Sequence, residues 1–264
     1  MKTALDRIID YKHDEVANLK RTRSLSDLMR ACAQQTPARD FAGALSAVVD
    51  DGSNALICEI KRKSPSAGEI LPGADPLAIA TDYEAAGAAC LSILTDGPSF
   101  GGSLSDLAAV REKVSLPILR KDFMIDTIQV TEARAAGADA ILVILSAVDD
   151  HLALDLCQAA DEHGMDVIVE THDRLEIERA NALPARLVGI NNRDLKRMVT
   201  ELETTISLAP LLSSDKQLIS ESGISSPAHI AHLRSSGARR FLIGESLMKS
   251  QQRQLDCINL RNTR

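Results

Sequence analysis

Apolar positions along the chain fall into two textures. Over the first 50 or so residues they recur at roughly helical spacing, as Leu5, Ile8, Ile9, Tyr11 and Val16, then Leu25, Leu28 and Met29, then Ala44 to Val49, with Pro37 interrupting the run. From Ala55 onward the texture changes to a repeated unit of a short β-branched or leucine-rich run, a polar loop and a longer amphipathic segment. Eight units can be counted. Strands are expected at 55–60, 90–94, 118–120, 140–145, 166–169, 187–190, 217–220 and 240–243, and helices centred near residues 81, 107, 131, 156, 177, 206, 230 and 250.

An internal echo supports this division. Ala85-Ala86-Gly87-Ala88, Ala135-Ala136-Gly137-Ala138 and Ser235-Ser236-Gly237-Ala238 each sit where a helix ends just before a strand, and glycine is suited to the left-handed position there. Helix starts carry their own marks: Asp75-Pro76 and Ser226-Pro227 put proline after a capping residue, and Ser103 precedes Asp106 as in a capping box. Eight βα units after a helical segment predict an α/β fold, a (β/α)8 TIM barrel with an N-terminal helical extension. One domain is expected over 1–264, with the extension at 1–50 and the barrel at 51–264. An open doubly wound sheet usually carries G-x-G-x-x-G or a P-loop after its first strand, and neither occurs here.

Composition narrows the partners. The chain has 264 residues, is 45% hydrophobic and has a formal net charge of -7, so general binding to nucleic acid or to an anionic membrane surface is not expected. Lys61-Arg62-Lys63 is then a local cationic spot in an acidic protein, which favours a small anionic ligand. Cysteines 32, 58, 90, 157 and 257 show no C-x-x-C pairing and suit reduced core thiols. The N-terminus lacks an apolar h-region and no window reaches membrane-spanning length, so a cytoplasmic protein is expected. His229 and His232 share a helix face but lack further ligands at metal spacing, and neither a metal nor a cofactor is anticipated.

In a barrel of this kind the C-terminal strand ends share one pocket. Taken in order they carry Glu59 and Lys61, Thr95, Lys121, Ser146, Glu170, Asn191, Glu221-Ser222 and Gly244-Glu245. Period-two geometry from the first strand places Glu59, Lys61 and Lys63 on one face. Barrel closure would bring Lys61, Lys121, Glu59 and Glu170 together. Small residues in Ser220–Ile224 and Leu242–Glu245, after the last two strands, with Gly223 and Gly244 among them, suit backbone capture of a phosphate. Phe100, Phe123 and Leu142 read as core residues, with the two phenylalanines alternatively the wall of a pocket for a flat substrate.

Six colinear stretches resemble the indole-3-glycerol-phosphate synthase family in its monofunctional form. They are E-x-K-R-K-S-P-S at 59–66, L-R-K-D-F at 119–123, V-E-T-H-D at 169–173, G-I-N-N-R-D-L at 189–195, S-E-S-G-I at 220–224 and L-I-G-E-S-L-M at 242–248. The resemblance implies a decarboxylating, dehydrating ring closure of 1-(2-carboxyphenylamino)-1-deoxyribulose 5-phosphate to indole-3-glycerol phosphate in tryptophan biosynthesis. By it Lys121 is the general acid, Glu170 the general base, Glu59 and Asn191 orienting groups, and Lys61 a counter-charge to the substrate. It further implies Phe100, Phe123 and Leu142 against the aromatic ring, Arg193 and Ser64 near the mouth, Glu221 and Ser222 as substrate contacts, and the phosphate on Ser222, Gly223, Gly244 and Glu245. A monomer able to associate with other tryptophan-pathway enzymes would follow. Two departures from the family pattern, Gly97-Pro98 in the loop at 95–103 and the run at 196–200, bear on loop closure and product release.

Two other functions compete with this one. Another phosphate-binding barrel enzyme, an isomerase or an aldolase with Lys121 as a Schiff base, would share the site, as would a barrel that binds a phosphate ligand without turnover. Shortening the chain to begin near Ser53 is expected to weaken substrate binding more than it unfolds the barrel.

Overall fold

Eight short, apolar, parallel strands close on one another because each is buried on both faces and none can serve as a solvated edge. The computed structural model describes residues 2–194 and 199–264. The strands are β1 (Ala55–Ile60), β2 (Cys90–Leu94), β3 (Ile118–Lys121), β4 (Ala140–Ile144), β5 (Asp166–Thr171), β6 (Leu187–Asn191), β7 (Gln217–Glu221) and β8 (Arg240–Ile243). Each pairs with its sequence neighbour, and β1 pairs with β8, Ala55 opposite Arg240, to complete the barrel. All eight expected strands are present. Four of them, β3, β5, β6 and β7, run one or two residues further than expected, so Lys121, Glu170, Asn191 and Glu221 belong to the strands themselves and not to loops.

Alternation then sorts the side chains. Ala55, Ile57, Cys90, Leu119, Ala140, Leu142, Ile168, Leu187, Ile219 and Leu242 fill the barrel interior, while Leu56, Leu91, Ile118, Ile141, Val143, Val169, Val188 and Phe241 pack outward under the helices. The corner glycines Gly87, Gly137 and Gly237 have φ of 78°, 94° and 86°, the left-handed values that their position demands.

The extension grips both ends of the barrel. Helix α1 (Ala4–Thr22) crosses the C-terminal end, where Ala4, Leu5 and Ile8 face the central cavity. Helix α2 (Leu25–Gln34) lies along the outer helix Thr127–Ala135, with Cys32 Sγ donating to Thr131 O. Helix α3 (Phe41–Asp50) closes the N-terminal mouth: Phe41 and Leu45 are fully buried in the interior cluster, and the Ala42 N–H donates to Asp166 Oδ2 at 2.9 Å. This corrects the expectation for a chain beginning near Ser53. Such a truncation uncovers the barrel floor as well as its top, and removing a buried Phe or Leu costs about 2–5 kcal/mol.

Three further expectations change. The helix centred near 250 is two helices, Glu245–Lys249 and Arg253–Asn262, because Ser250 is extended (φ -71°, ψ 136°). Lys63 leaves the face of Glu59 and Lys61. The alternation ends with β1 at Ile60, the chain folds into a small ladder of Lys63–Ser64 with Gly68–Glu69, and Lys63 Nζ donates to Pro98 O at 2.9 Å. Thr95 likewise turns from the central cavity, and its hydroxyl meets Asp122 beside Arg120. All five cysteines are free, with Cys58 and Cys257 Sγ atoms 3.7 Å apart under the helix Arg253–Asn262. No helix among the described residues is long and apolar enough to cross a membrane.

Candidate active site

The C-terminal strand ends surround a cavity of about 480 Å³. Its floor is a ring of charge. Lys121 Nζ lies 3.0 Å from Glu170 Oε2 and 2.6 Å from Glu221 Oε2, so an ammonium on β3 bridges carboxylates from β5 and β7. On the opposite side Lys61 Nζ meets Glu59 Oε1 at 2.5 Å. Asn191 Nδ2 donates to Glu170 Oε1 at 3.2 Å, and Asn191 Oδ1 accepts the Arg193 N–H at 3.0 Å.

These charges tune one another. Burial works against the Lys121 ammonium, but Glu170, Glu221 and Glu59 overcome it and hold the lysine charged well above its ordinary range. Burial also disfavours the Glu170 carboxylate, yet Lys121 and His172 outweigh it and keep Glu170 ionised far below the usual range. Glu221 has the opposite balance: burial and the neighbouring Glu170 carry it up to about 7 despite Lys121. Its Oε1 is buried with no hydrogen-bond partner among the described residues. Burial and neighbouring charge thus push the two carboxylates in opposite directions, Glu170 down and Glu221 up.

Two glycines make room for the carboxylates. A Cβ on Gly189 would stand 2.0 Å from Glu221 Oε1, and one on Gly244 would stand 2.4 Å from Glu59 Oε1. Gly244 therefore has a steric task beyond any turn. Gly189 has an ordinary φ, so Gly189→Ala should fold while pushing Glu221 off Lys121. Displacements of this size cost about 10²-fold in rate, and the loss should be seen in kcat/KM with the circular dichroism spectrum unchanged.

One wall is apolar, formed by Leu94, Phe100, Phe123, Leu142 and Ile144 from the barrel with Leu5 and Ile8 from α1. Phe100 and Phe123 stack tilted with centroids 6.1 Å apart. Phe100 is delivered by a one-turn helix, Gly97–Phe100, capped by Asp96 and started by Pro98, so the Gly-Pro sequence is an ordered turn. The other wall is polar, with Lys61, Arg193, Lys249 and Glu245 around Ser222, Gly223 and Gly244. Ser222 and Gly223 are consecutive left-handed residues, φ 68° and 79°. Glu245 pairs with Lys249 at 2.7 Å and with Arg193 at 3.6 Å. Of the run at 196–200, residues 196–198 lie outside the described residues, whereas Thr200 pairs with Arg193.

Ser64, expected near the mouth, does not line the cavity. Its Oγ accepts the Ala67 N–H at 3.1 Å and shapes the loop that puts Pro65 and Ser66 there instead. Ser146 also stays outside the lining. The remaining candidates, Glu59, Lys61, Phe100, Lys121, Phe123, Leu142, Glu170, Asn191, Arg193, Glu221, Ser222, Gly223, Gly244 and Glu245, converge on one space.

Several residues that serve the site were not signalled by position at a strand end. Lys12 on α1 is about 1% exposed and meets Asp122 Oδ1 at 2.8 Å, Asp96 Oδ2 at 3.0 Å and Glu15 Oε2 at 2.7 Å. It ties the extension to the residue between Lys121 and Phe123. Tyr11 adds a 2.7 Å bond from its hydroxyl to Asp96. Asn192 holds the loop after β7 by donating to Ser222 O at 3.0 Å. Lys249 was hidden in a helix beyond the last strand. Lys12, on a helical stripe, carries no sign in the sequence that Asp96 and Asp122 from two loops will enclose it.

The model of the family described as Indole-3-glycerol phosphate synthase matches residues 5–260. The chain is 66% identical to the indole-3-glycerol phosphate synthase of Hyphomonas neptunium over 249 residues, 94% of each chain. It is 46% identical to that of Acidithiobacillus ferrooxidans over 252 residues, 96% of each. It is 47% identical to that of Rhodospirillum rubrum over 250 residues, 94% of this chain and 95% of the relative. With matches that run nearly end to end and a barrel that gathers the family's motifs around one cavity, the chain belongs to the indole-3-glycerol phosphate synthase family.

Proposed function

We propose that the cavity closes the indole ring of indole-3-glycerol phosphate from 1-(2-carboxyphenylamino)-1-deoxyribulose 5-phosphate, with loss of carbon dioxide and water. The observation that carries this reading is the Lys121 ammonium held between Glu170 and Glu221 beside an aromatic wall. The substrate's ring lies on Phe100, Phe123 and Leu142, and its phosphate on the backbone N–H groups of Ser222, Gly223, Gly244 and Glu245, near the Arg193 and Lys249 charges. Lys61 faces the carboxylate that leaves.

Lys121 gives its proton to the ribulose carbonyl oxygen as the ring carbon attacks, so charge developing on that oxygen meets a preorganised donor. Loss of carbon dioxide then restores the aromatic ring. Once Lys121 is neutral it no longer depresses Glu170, whose basicity rises when the dehydration needs a base for the proton on carbon, while the Lys61 ammonium across the cavity protonates the hydroxyl that leaves as water. Glu59 and Asn191 orient Lys61 and Glu170. Glu221, which lines the cavity beside Lys121, accepts a substrate hydroxyl. The substrate is a freely diffusing phosphate ester, and the reading carries with it a monomer working in the cytoplasm.

A Schiff-base aldolase at Lys121 is disfavoured by the same geometry. A nucleophilic lysine needs its pKa lowered, and here two carboxylates raise it. The test is turnover by the purified chain in the presence of a chelator, followed by indole fluorescence, with borohydride added in parallel. Product without borohydride trapping is expected; a trapped adduct would support the aldolase, and binding without product a barrel that only carries the ester.

A further inference from the structure

His172 lies just past the end of β5, two residues beyond Glu170, and its ring stands between two carboxylates. Nε2 is 3.3 Å from Glu170 Oε1, an ion-pair distance at an angle too poor for a hydrogen bond. Nδ1 is 3.0 Å from Glu176 Oε2. Glu176, in the first turn of Arg174–Ala182, also accepts the His172 backbone N–H at 2.8 Å and is itself fixed by its own N–H donating to Asp173 Oδ1 at 2.9 Å. The imidazole is thus braced from behind by a helix and pointed at the carboxylate that lines the cavity, while remaining outside the cavity lining. A ring with a carboxylate against each nitrogen is matched only when both nitrogens carry protons.

We propose that His172 is a positioning residue: as an imidazolium braced by Glu176, it holds the Glu170 carboxylate ionised and turned toward the substrate. This rests on Glu170 being the base of the dehydration. The charged groups facing Glu170 among the described residues are Lys121 from β3, Glu221 from β7 and His172, with Asn191 from β6 as an uncharged donor. Lys121 is consumed as an acid during the reaction, so it cannot be the constant partner. His172 can, because it does not touch the reacting atoms. Burial alone would lower its pKa, but Glu170 and Glu176 lift it to about 10, so the ring stays charged through the neutral range.

The test uses the full chain with His172→Gln, which removes the charge, and His172→Lys, which keeps a cation. In His172→Gln the acid limb of the kcat profile should move to higher pH by about one unit, with KM changed less than about threefold because no substrate contact is lost. His172→Lys should return the limb toward the wild-type position. Melting gives a readout independent of turnover. A group with a raised folded-state pKa stabilises fully below its unfolded value of 6.5 and loses that contribution as pH rises through about 10. The difference in Tm between wild type and His172→Gln should therefore shrink across that window. Coincident acid limbs in folded wild type and His172→Gln would overturn the proposal, as would a Tm difference independent of pH. A folded His172→Gln chain inactive at every pH would also overturn it, by making the ring part of proton transfer itself. Wild-type protein with no turnover would instead refute the functional reading, while the melts still decide whether the imidazolium is clamped.

Discussion

Lys121→Met is expected to lower kcat by about 10³-fold or more while leaving the barrel folded. The side chain supplies both the proton for the carbonyl oxygen and the positive charge next to it, and general acids and oxyanion donors are each worth about 10²-fold or more. Burying two carboxylates without their cation would ordinarily be severe. Here Glu221 is already at the edge of taking a proton, with a pKa of about 7 even while Lys121 is present. Without the ammonium it should hold that proton firmly and donate to Glu170, so the pair survives as a single shared charge. Rates from indole fluorescence, with a thermal melt as control, check this. Retention of more than a tenth of the wild-type kcat would remove Lys121 from its role.

The second large effect lies about one helix away from the chemistry. Lys12→Met should destabilise the protein by about 3–5 kcal/mol, the cost of leaving buried carboxylates without a partner, and lower Tm by about 10 °C. Asp122 keeps Arg120, at 3.2 Å, and the Thr95 hydroxyl, whereas the Asp96 side chain keeps, among the described residues, the Tyr11 hydroxyl and the Ser99 N–H. Asp96 also caps the turn that presents Phe100, and Asp122 sits between Lys121 and Phe123. Loss of Lys12 should therefore raise KM as well. A cycle with Asp122→Asn measures the coupling: the double variant should be less destabilised than the sum of the single ones. Additive losses would show that Lys12 stabilises α1 without acting through Asp122.

The barrel was legible because each unit repeats the same grammar of a buried run, a capped helix start and a glycine corner. Gly87, Gly137 and Gly237 sit where that grammar requires left-handed backbone, at intervals that betray the repeat. The polar ring was legible for a related reason. Strand ends in a closed barrel must converge, so Glu59, Lys121, Glu170, Asn191 and Glu221 could be grouped without knowing a single distance. What could not be grouped were residues whose role depends on packing between distant segments. Lys12 is one position in an amphipathic helix, Gly189 one apolar strand residue, and His172 one histidine after a strand; their tasks arise from which carboxylate each of them meets. Lys63 failed in the opposite sense, since strand alternation was carried past the point where β1 gives way to a small hairpin. The closing of the barrel floor by α3 was hidden too, because helical periodicity says which face is apolar but not which mouth it covers.

The measurement that bears most directly on the division of labour between Lys121 and Glu170 is carbon dioxide release in a single turnover, using substrate labelled at the carboxyl carbon. If Lys121 drives ring closure and Glu170 the later dehydration, Glu170→Gln should release labelled carbon dioxide while forming little indole, and Lys121→Met should do neither. Carbon dioxide release lost as completely in folded Glu170→Gln as in Lys121→Met would contradict that division.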